Sequence, residues 1–252
     1  MNEPSRVVIP IAAMQPIHNR VPNPAHYPRP ITEIHQIEPT SHCNLRCKYC
    51  PQFPKLPREK LDMPWEIFEA SSDLVRFYVK QGTQGEVSLT GIGEPLMHPR
   101  IIEMSAIMRE ILGPDRPLVI ATNGIKLDEP MAIELAKSDV VVYVSAHRPE
   151  KAGPAAVIAG KHGILAGVNH AFVERSFNWA GQVNWHVSAQ RSQCEYLRAG
   201  WGVILADGRI TTCCLDADGA GVVGTVKDDP STLALKPYKH CASCHMTIPE
   251  VL

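Results

Sequence analysis

The sequence has little net charge and no long apolar run, and both absences narrow the classes of protein that it can encode. The formal net charge of the 252-residue chain is −1, so it lacks the basic surplus typical of proteins that bind nucleic acids or anionic membranes. No apolar run approaches the roughly 18 residues of a membrane-spanning helix. The N-terminus has only a short apolar patch interrupted by prolines, without the basic start and longer apolar core of a signal peptide. We therefore expect a cytoplasmic protein.

The chain also lacks internal repeats and low-complexity segments. Its composition, 44% apolar and 20% charged, is ordinary for a globular protein, and its length fits one large domain or one domain with a small appendage. In a reducing compartment, its eight cysteines are expected to bind metal or to act in catalysis rather than to form disulfides.

The hydrophobic pattern predicts an alternation of strands and helices. Strands are predicted at residues 31–38, 86–90, 117–122, 139–146, 163–170 and 182–189. Helices are predicted at residues 64–82, 99–112, 129–138 and 150–161. Such alternation is typical of parallel βαβ units.

The pattern changes after about residue 190. Residues 201–214, WGVILADGRITTCC, predict a β-hairpin that turns at Asp207-Gly208. We therefore predict three parts: a Pro-rich arm at 1–32, an α/β domain at 33–190 and a small cysteine-bearing module at 191–252.

Three cysteines lie close together in SHCNLRCKYC, where Cys43, Cys47 and Cys50 have the spacing C-x3-C-x2-C. A structural zinc site usually has four ligands, and a disulfide framework needs an even number of cysteines in a secreted protein. Three thiolates therefore suggest a metal centre with one open position. A zinc-binding loop is the alternative.

This motif resembles the one with which the radical S-adenosylmethionine (radical SAM) superfamily holds a [4Fe-4S] cluster after its first barrel strand. The resemblance implies that three irons carry the thiolates and that the fourth binds the amino and carboxylate groups of SAM. It also implies that the reduced cluster cleaves SAM to a 5′-deoxyadenosyl radical, which takes a hydrogen atom from the substrate. The protein then binds and orients the reactants and excludes solvent.

Further motifs follow the candidate strands in the order that the family predicts. The stretch TGIGEPLMHP resembles the Gly-Gly-Glu element that holds the SAM amino group, which implies cofactor-binding roles for Gly91, Gly93 and Glu94. Ile92 stands where the family usually has a glycine. Taken alone, this stretch is also typical of a simple turn.

The resemblance places other cofactor contacts at or near strand ends, as a βα barrel predicts. Asn123, in ATNG, is expected near SAM, Ser145 at its ribose and Tyr49 at its adenine. Arg175 is expected to contact SAM or a substrate carboxylate, with a solvated surface arginine as the alternative. His147 is predicted to face the substrate as a catalytic residue, with a structural histidine as the alternative.

The remaining cysteines resemble the twitch module, a shortened SPASM domain that holds one auxiliary [4Fe-4S] cluster. The resemblance implies four ligands, which are Cys194, Cys213, Cys241 and Cys244. Four thiolates leave no open iron, so this cluster would accept an electron from the substrate radical or serve only the structure. A four-cysteine zinc site is the alternative. The C-x-x-C-H spacing also occurs in c-type haem attachment, which requires export, and no export signal is found.

Two residues that follow the proposed ligand Cys213 are candidate catalytic groups. Asp216 is predicted as a general base and Cys214 as a hydrogen donor, and a structural role is the alternative for each. The fold predicted as a whole is α/β, a partial (β/α)6 TIM-like radical SAM barrel with a small C-terminal twitch module that contains a β-hairpin.

The length and layout are similar to those of a family member that dehydrogenates an amino-cyclitol, which implies oxidation of a secondary alcohol to a ketone. The cofactors implied are SAM and two [4Fe-4S] clusters, and the partners are a small-molecule or peptide substrate and a reducing protein such as flavodoxin or ferredoxin. The alternatives are a maturase that crosslinks or epimerises a ribosomal peptide, and a non-catalytic iron–sulfur or zinc protein. The Pro-rich arm is too short for a leader-binding domain, which favours a small substrate.

Overall fold

The computed structural model describes residues 27–53, 55–170, 178–184 and 194–244. Its strands are β1 Arg29–Pro30, β2 Glu33–Ile37, β3 Val87–Leu89, β4 Leu118–Thr122, β5 Val140–Ser145, β6 Leu165–Asn169, β7 Trp201–Ile204, β8 Arg209–Thr211, β9 Val222–Thr225 and β10 Ala234–Leu235. Its α-helices are α1 Trp65–Lys80, α2 Ile101–Leu112, α3 Glu129–Lys137, α4 Pro149–Lys161 and α5 Glu195–Ala199. Short 3-10 helices lie at Pro95–Met97, Pro230–Thr232 and Lys239–Ser243.

Eight of these strands form one sheet in the order β6-β5-β4-β3-β2-β7-β8-β9. Strands β2 to β6 are parallel, and β7 pairs parallel with the other edge of β2. Strands β8 and β9 continue the sheet antiparallel, while β1 and β10 form a separate antiparallel pair. This is the predicted α/β class: a mostly parallel, open sheet with the helices of a partial barrel, and a hairpin-containing module at its C-terminal side.

The helices form where the sequence gives one apolar face and suitable ends. Helix α1 follows Pro64, and its buried side chains include Phe68 and Tyr78, which belong to the main apolar core with residues of the sheet. Helix α3 is capped by Asp128, whose side chain accepts a hydrogen bond from the Met131 N–H at 2.9 Å. These helices cover the sheet and leave the carboxyl ends of its strands accessible.

The strands β2 to β6 and the helices α1 to α4 match the predicted elements. The hairpin is confirmed too: β7 and β8 meet at Asp207-Gly208, where Gly208 has a φ of 84°, a conformation that favours glycine. The predicted strand at 182–189 is wrong at residues 182–184, which form a turn and a bend, and residues 185–189 lie outside the described residues. Strand β9 and helix α5 were not anticipated.

The C-terminal module is joined to the main sheet by strand pairing. Glu33 pairs with Trp201 and Ile37 pairs with Ile204, 167 or more residues away along the chain. The predicted domain boundary near 188–192 falls outside the described residues and stays a prediction. In the part of the chain that the structure describes, no helix is both long enough and apolar enough to cross a membrane.

Candidate functional site

A cavity of about 250 Å³ lies at the carboxyl ends of the parallel strands. Many of the predicted site residues line it, namely Cys43, Cys47, Tyr49, Cys50, Gly91, Gly93, Glu94, Asn123, Ser145, His147 and Cys214. They come from five separate segments of the sequence. The sheet topology therefore brings the predicted motifs together at one place, as expected for a barrel-like fold.

The segment with the first three cysteines is folded by short local hydrogen bonds. The Cys50 N–H donates to the Cys47 carbonyl at 3.1 Å, and the Leu45 N–H donates to Cys43 Sγ at 3.4 Å. Burial, together with the charges of Cys43 and Cys47, raises the pKa of the Cys50 thiol to about 12. A nearby multivalent metal centre would stabilise the thiolate form of such a set of cysteines.

The spacing of the sulfurs is wider than a single zinc ion requires. Among the described residues, only Asp216, Asp218 and His240 have three ligand atoms within 4.8 Å of one another, so at least two of the Cys43, Cys47 and Cys50 sulfurs lie farther apart. A tetrahedral zinc ion with bonds of 2.3 Å would hold its sulfurs about 3.8 Å apart. A cluster in which each thiolate has its own iron accommodates a wider set, so these residues fit a [4Fe-4S] cluster.

Glu94 is buried and joins two of the predicted motifs. Its carboxylate accepts hydrogen bonds from the Thr122 hydroxyl at 2.6 Å, the Asn123 N–H at 2.7 Å and the Leu96 N–H at 3.1 Å. Burial raises the pKa of Glu94, although these hydrogen bonds oppose the shift. Glu94 thus lines the cavity and also fixes the loop after β3 to the end of β4. The sequence did not predict the contact with Thr122.

The two glycines of this motif are required by close packing. A Cβ at Gly93 would lie 2.2 Å from the Thr40 carbonyl oxygen, and one at Gly91 would lie 2.2 Å from Cγ of Glu38. Separations under 3.0 Å force the backbone to move, because atoms of this kind do not overlap. The glycines therefore let the loop after β3, which is predicted to bind SAM and is called the SAM-site loop below, lie directly against the chain that leads from β2 into the cysteines.

Asn123 contacts the cysteine-bearing segment from the other side. Its Nδ2 donates to Asn44 Oδ1 at 2.8 Å and lies 4.0 Å from Cys43 Sγ. Asn44 was not predicted as a site residue, and its only sequence signal is its position beside Cys43. Ser145 ends β5 and lines the cavity, and its contact with the SAM ribose stays a prediction.

His147 lies beside Tyr49. The Tyr49 hydroxyl and His147 Nδ1 are 3.1 Å apart, and the ring centroids are 5.7 Å apart. Burial lowers the pKa of His147 to about 4, so the imidazole is neutral near pH 7. This geometry places His147 next to the residue predicted to contact the adenine, while its catalytic role stays a prediction. Arg175 lies outside the described residues.

The second cysteine set comes from three segments near the C-terminal module. Cys194 precedes α5, Cys213 follows β8, and Cys241 and Cys244 lie in or next to a 3-10 helix. Burial raises the pKa of Cys194 to about 12, and the charges of Cys241 and Cys244 add to this shift. The Leu215 N–H donates to Cys213 Sγ at 3.4 Å. Converging thiols that are buried or partly buried and that receive N–H donors at sulfur fit an iron–sulfur cluster.

The adjacent Cys213 and Cys214 differ in their surroundings. Cys214 lines the cavity, whereas Cys213 is not among its described lining residues. The hydrogen bond with Cys214 and burial raise the pKa of Cys213, and the charge of the nearby Cys194 adds to this shift. Tyr196 also forms a hydrogen bond with Cys214. The local geometry therefore favours Cys213 as a member of the second set and leaves Cys214 facing the cavity.

Asp216 has contacts typical of a structural carboxylate. It is 2% exposed and accepts hydrogen bonds from the Thr211 hydroxyl, from the Ala220 N–H at 2.9 Å and from the Gly221 N–H at 2.8 Å. It is not among the described residues that line the cavity. These contacts fasten the loop between β8 and β9, and they do not favour the predicted role as a general base.

The neighbouring Asp218 connects this loop to the segment that carries Cys241. It accepts from His240 Nε2 at 2.9 Å and from Lys239 Nζ at 2.8 Å. Burial opposes ionisation, but these two partners hold the pKa of Asp218 well below its usual range. The Lys239 ammonium group and the His240 ring therefore account for the close grouping of polar side chains around Asp218.

The arrangement defines a class of protein: a partial barrel with a three-cysteine centre and a cofactor-sized cavity at the carboxyl ends of its strands. The chain belongs to the Radical SAM superfamily, since the model of that family matches residues 37–187. Family membership implies an enzyme that uses a [4Fe-4S] cluster and SAM.

Curated relatives match part of this chain. Molybdenum cofactor biosynthesis protein 1 of Bos taurus is 33% identical over 141 residues, which cover 54% of this chain and 21% of that protein. GTP 3′,8-cyclase of Aquifex aeolicus is 32% identical over 129 residues, which cover 49% of this chain and 38% of that protein. The matched region therefore spans well under half of these relatives.

Solved structures share the fold over most of both chains. BtrN in complex with AdoMet and 2-DOIA has a TM-score of 0.64 at 19% identity, covering 81% of this chain and 85% of BtrN. SuiB of Streptococcus suis, bound to the precursor peptide SuiA, has a TM-score of 0.53 at 14% identity, covering 86% and 70%. The layout of this chain, barrel followed by a small C-terminal module, is like that of BtrN.

Proposed function

We propose that this protein is a radical SAM oxidoreductase that oxidises a secondary alcohol of a small substrate to a ketone. One observation carries the proposal: Cys214 lines the cavity at the strand ends, and its neighbour Cys213 lies near Cys194 of the second cysteine set. The second metal centre would thus border the space in which the substrate binds. Likeness to BtrN in layout supports the same assignment.

The proposal assigns the cysteines of this chain to two clusters. Cys43, Cys47 and Cys50 would hold the first cluster, and Cys194, Cys213, Cys241 and Cys244 the second. When bound, the first cluster and SAM supply a radical that removes a hydrogen atom, and the second cluster supplies an electron acceptor. The substrate carbon that bears the hydroxyl loses one hydrogen atom and one electron, the hydroxyl loses its proton, and a carbonyl forms.

The walls of the cavity would orient the substrate and exclude water. The neutral His147 and the hydroxyl of Tyr49 present polar groups on one side, and Cys214 lies in the wall near the second cysteine set. Asp216 would have to exchange its hydrogen bonds before it could accept the hydroxyl proton, so it is a weak candidate for the base.

A redox-neutral modification is the second candidate, and the position of Cys214 favours it. A thiol in the cavity wall can return a hydrogen atom to a substrate radical, which would invert a stereocentre instead of oxidising it. The thiyl radical left on Cys214 would be restored to a thiol by one electron from the reducing partner and one proton from water. This second candidate includes peptide substrates, because the fold neighbour SuiB was solved with a precursor peptide.

The electron that starts the reaction would come from an acidic carrier protein such as flavodoxin or ferredoxin. Four exposed basic side chains lie in the segment that carries the first three cysteines, at Arg46, Lys48, Lys55 and Lys60. Positive charge next to the first metal centre would attract such a carrier to the surface nearest that centre.

The test is a product assay on the anaerobically reconstituted full chain with SAM and dithionite. Alcohols, amino-cyclitols, GTP and peptides are offered, and 5′-deoxyadenosine and substrate products are quantified together. Oxidation of an alcohol that requires Cys241 supports the proposal: Cys241→Ala should spare SAM cleavage but reduce the ketone yield. An epimerised or crosslinked product would favour the second candidate, and a ketone yield unchanged in Cys241→Ala would remove the second cluster from the reaction.

A further inference from the structure

The side chain of Ile92 occupies a junction between three segments of the site. It stands where the resembling motif has a glycine, and here it is 8% exposed. It packs in a small buried cluster with Leu56 and Ala217, against which Cys50 and Trp179 also pack. Leu56 belongs to the cysteine-bearing segment and Ala217 to the loop that follows Cys213 and Cys214. Ile92 therefore fills the space between the SAM-site loop and the C-terminal module.

A buried ion pair joins the same three segments a second time. Nη2 of Arg58 lies 2.7 Å from both carboxylate oxygens of Glu38, and the two side chains are 6% and 2% exposed. Arg58 Nε also donates to the Ala217 carbonyl at 2.9 Å. Glu38 in turn accepts from the Ile92 N–H at 3.0 Å and from the Ala206 N–H at 3.2 Å.

This pair is specific in its geometry. One carboxylate receives donors from the cysteine-bearing segment, the SAM-site loop and the turn after β7. A lysine at position 58 has no planar fork and cannot contact both oxygens of Glu38 and the Ala217 carbonyl in the same way. Apolar packing at Ile92 and the ion pair at Glu38 are independent interactions, and both fix the cysteine-bearing segment and the SAM-site loop relative to the C-terminal module.

We propose that Ile92 and the Glu38–Arg58 pair are positioning residues, which hold the segment with Cys213 and Cys214 at a fixed place beside the SAM site. In this arrangement Cys214 remains against the bound cofactor, and SAM cleavage is coupled to the chemistry of the C-terminal module. The inference rests on the proposed function, because it gives the junction a purpose only if the second cysteine set takes part in turnover.

The test uses Cys214 as a reporter of that placement. In the reconstituted full chain, iodoacetamide alkylates Cys214 at a rate measured by peptide mass spectrometry, with and without SAM. Bound SAM should protect Cys214 in the wild type, because both occupy the same cavity. Ile92→Ala and Arg58→Lys should both lose several-fold of this protection, and Arg58→Lys should do so while retaining iron content and dithionite-driven 5′-deoxyadenosine formation.

Two controls separate positioning from general stability. Ile92→Val keeps most of the packing and should protect Cys214 like the wild type, and Glu103→Gln, in an exposed ion pair with Arg100, should change nothing. Full protection in Ile92→Ala and Arg58→Lys would overturn the inference. So would a loss of protection that only parallels a loss of SAM cleavage, because the residues would then support the first cluster alone. If the proposed function is wrong, iron and sulfide analysis of the wild-type chain will show no second cluster before any variant is compared.

Discussion

At the scale of single residues, the site depends on positions where a side chain is either absent or fixed by several partners. Gly93 has no space for a Cβ beside the Thr40 carbonyl, and Glu94 has three donors on its carboxylate. Both were predicted from the sequence motif as cofactor contacts. In the structure, Gly93 packs against Thr40, and the Glu94 N–H donates to the His42 carbonyl at 2.8 Å, so both residues hold the chain that leads into the cysteines.

Gly93→Ala should destabilise the protein by roughly 3 kcal/mol, because the added methyl group overlaps backbone atoms that cannot easily move. Iron incorporation should fall with it. Chemical denaturation and iron analysis measure the two effects. Gly153→Ala is the matched control, since nothing lies within 4 Å of its Cβ and alanine favours the helix α4. Equal stability of the two variants would contradict the packing argument.

The resemblance to the twitch module assigns Cys213 as a ligand of the second cluster and leaves Cys214 as the remaining cysteine. We expect Cys213→Ala to lose about four irons per chain, because it removes a cluster ligand. Cys214→Ala should keep all of them and still cleave SAM. Iron and sulfide analysis of the two reconstituted variants decides between them. The reverse result would exchange the two assignments: the cavity-lining Cys214 would then be a cluster ligand and could not serve as a hydrogen donor.

At the scale of elements, the strands β2 to β6 and the helices α1 to α4 were predictable because each has a clear hydrophobic period and local end signals. The pairing of β7 with β2 was not, because it joins residues more than 160 positions apart and leaves no local pattern. Strand β9 was missed because its four residues, Val222–Thr225, are only partly buried. Asp216 accepts hydrogen bonds from residues four or five positions away along the chain, contacts that the sequence pattern alone does not show, and its role as a general base stays a prediction.

The junction between β2 and β7 has a pH-sensitive residue. His35 stacks on Trp201 with ring centroids 4.2 Å apart, and burial lowers its pKa to about 4. Glu86 lies 3.6 Å away but is 42% exposed, so desolvation outweighs this attraction. The pKa of His35 in the folded protein is below its value near 6.5 in the unfolded chain. The packing of the neutral His35 therefore contributes fully to stability above pH 6.5, and this contribution is lost as the pH falls toward 4.

We therefore expect the wild type to lose roughly 1 kcal/mol more stability than His35→Gln between pH 7.5 and pH 5.5. Urea unfolding of both proteins at the two pH values measures the difference. The comparison of variants cancels acid effects on other groups. A parallel decrease in the two proteins would show that His35 is not protonated on unfolding in this range.

At the scale of the whole molecule, the sheet places the first metal centre at one end and the C-termini of the helices at the other. The basic residues of the cysteine-bearing segment thus lie far from Lys80 and Lys137, which occupy the last turns of α1 and α3. This separation offers a matched pair of surfaces on which the docking of an electron carrier can be tested.

Arg46→Glu with Lys48→Glu should slow 5′-deoxyadenosine formation driven by reduced flavodoxin, with little effect when dithionite supplies the electron. The wild-type rate with flavodoxin should also fall as salt screens the attraction. Lys80→Glu with Lys137→Glu makes the same change in net charge and should leave both rates unchanged. If both double variants slow the flavodoxin reaction equally, net charge rather than this surface determines the encounter.

The measurement that tests the central claim most directly is the iron and sulfide content after anaerobic reconstitution. It is made on the wild type and on a variant with Cys43, Cys47 and Cys50 all replaced by alanine. We predict about eight irons per chain in the wild type and about four in the variant, which should form no 5′-deoxyadenosine. About four irons falling to none, with bound zinc, would contradict the second cluster and make the C-terminal module a structural zinc site.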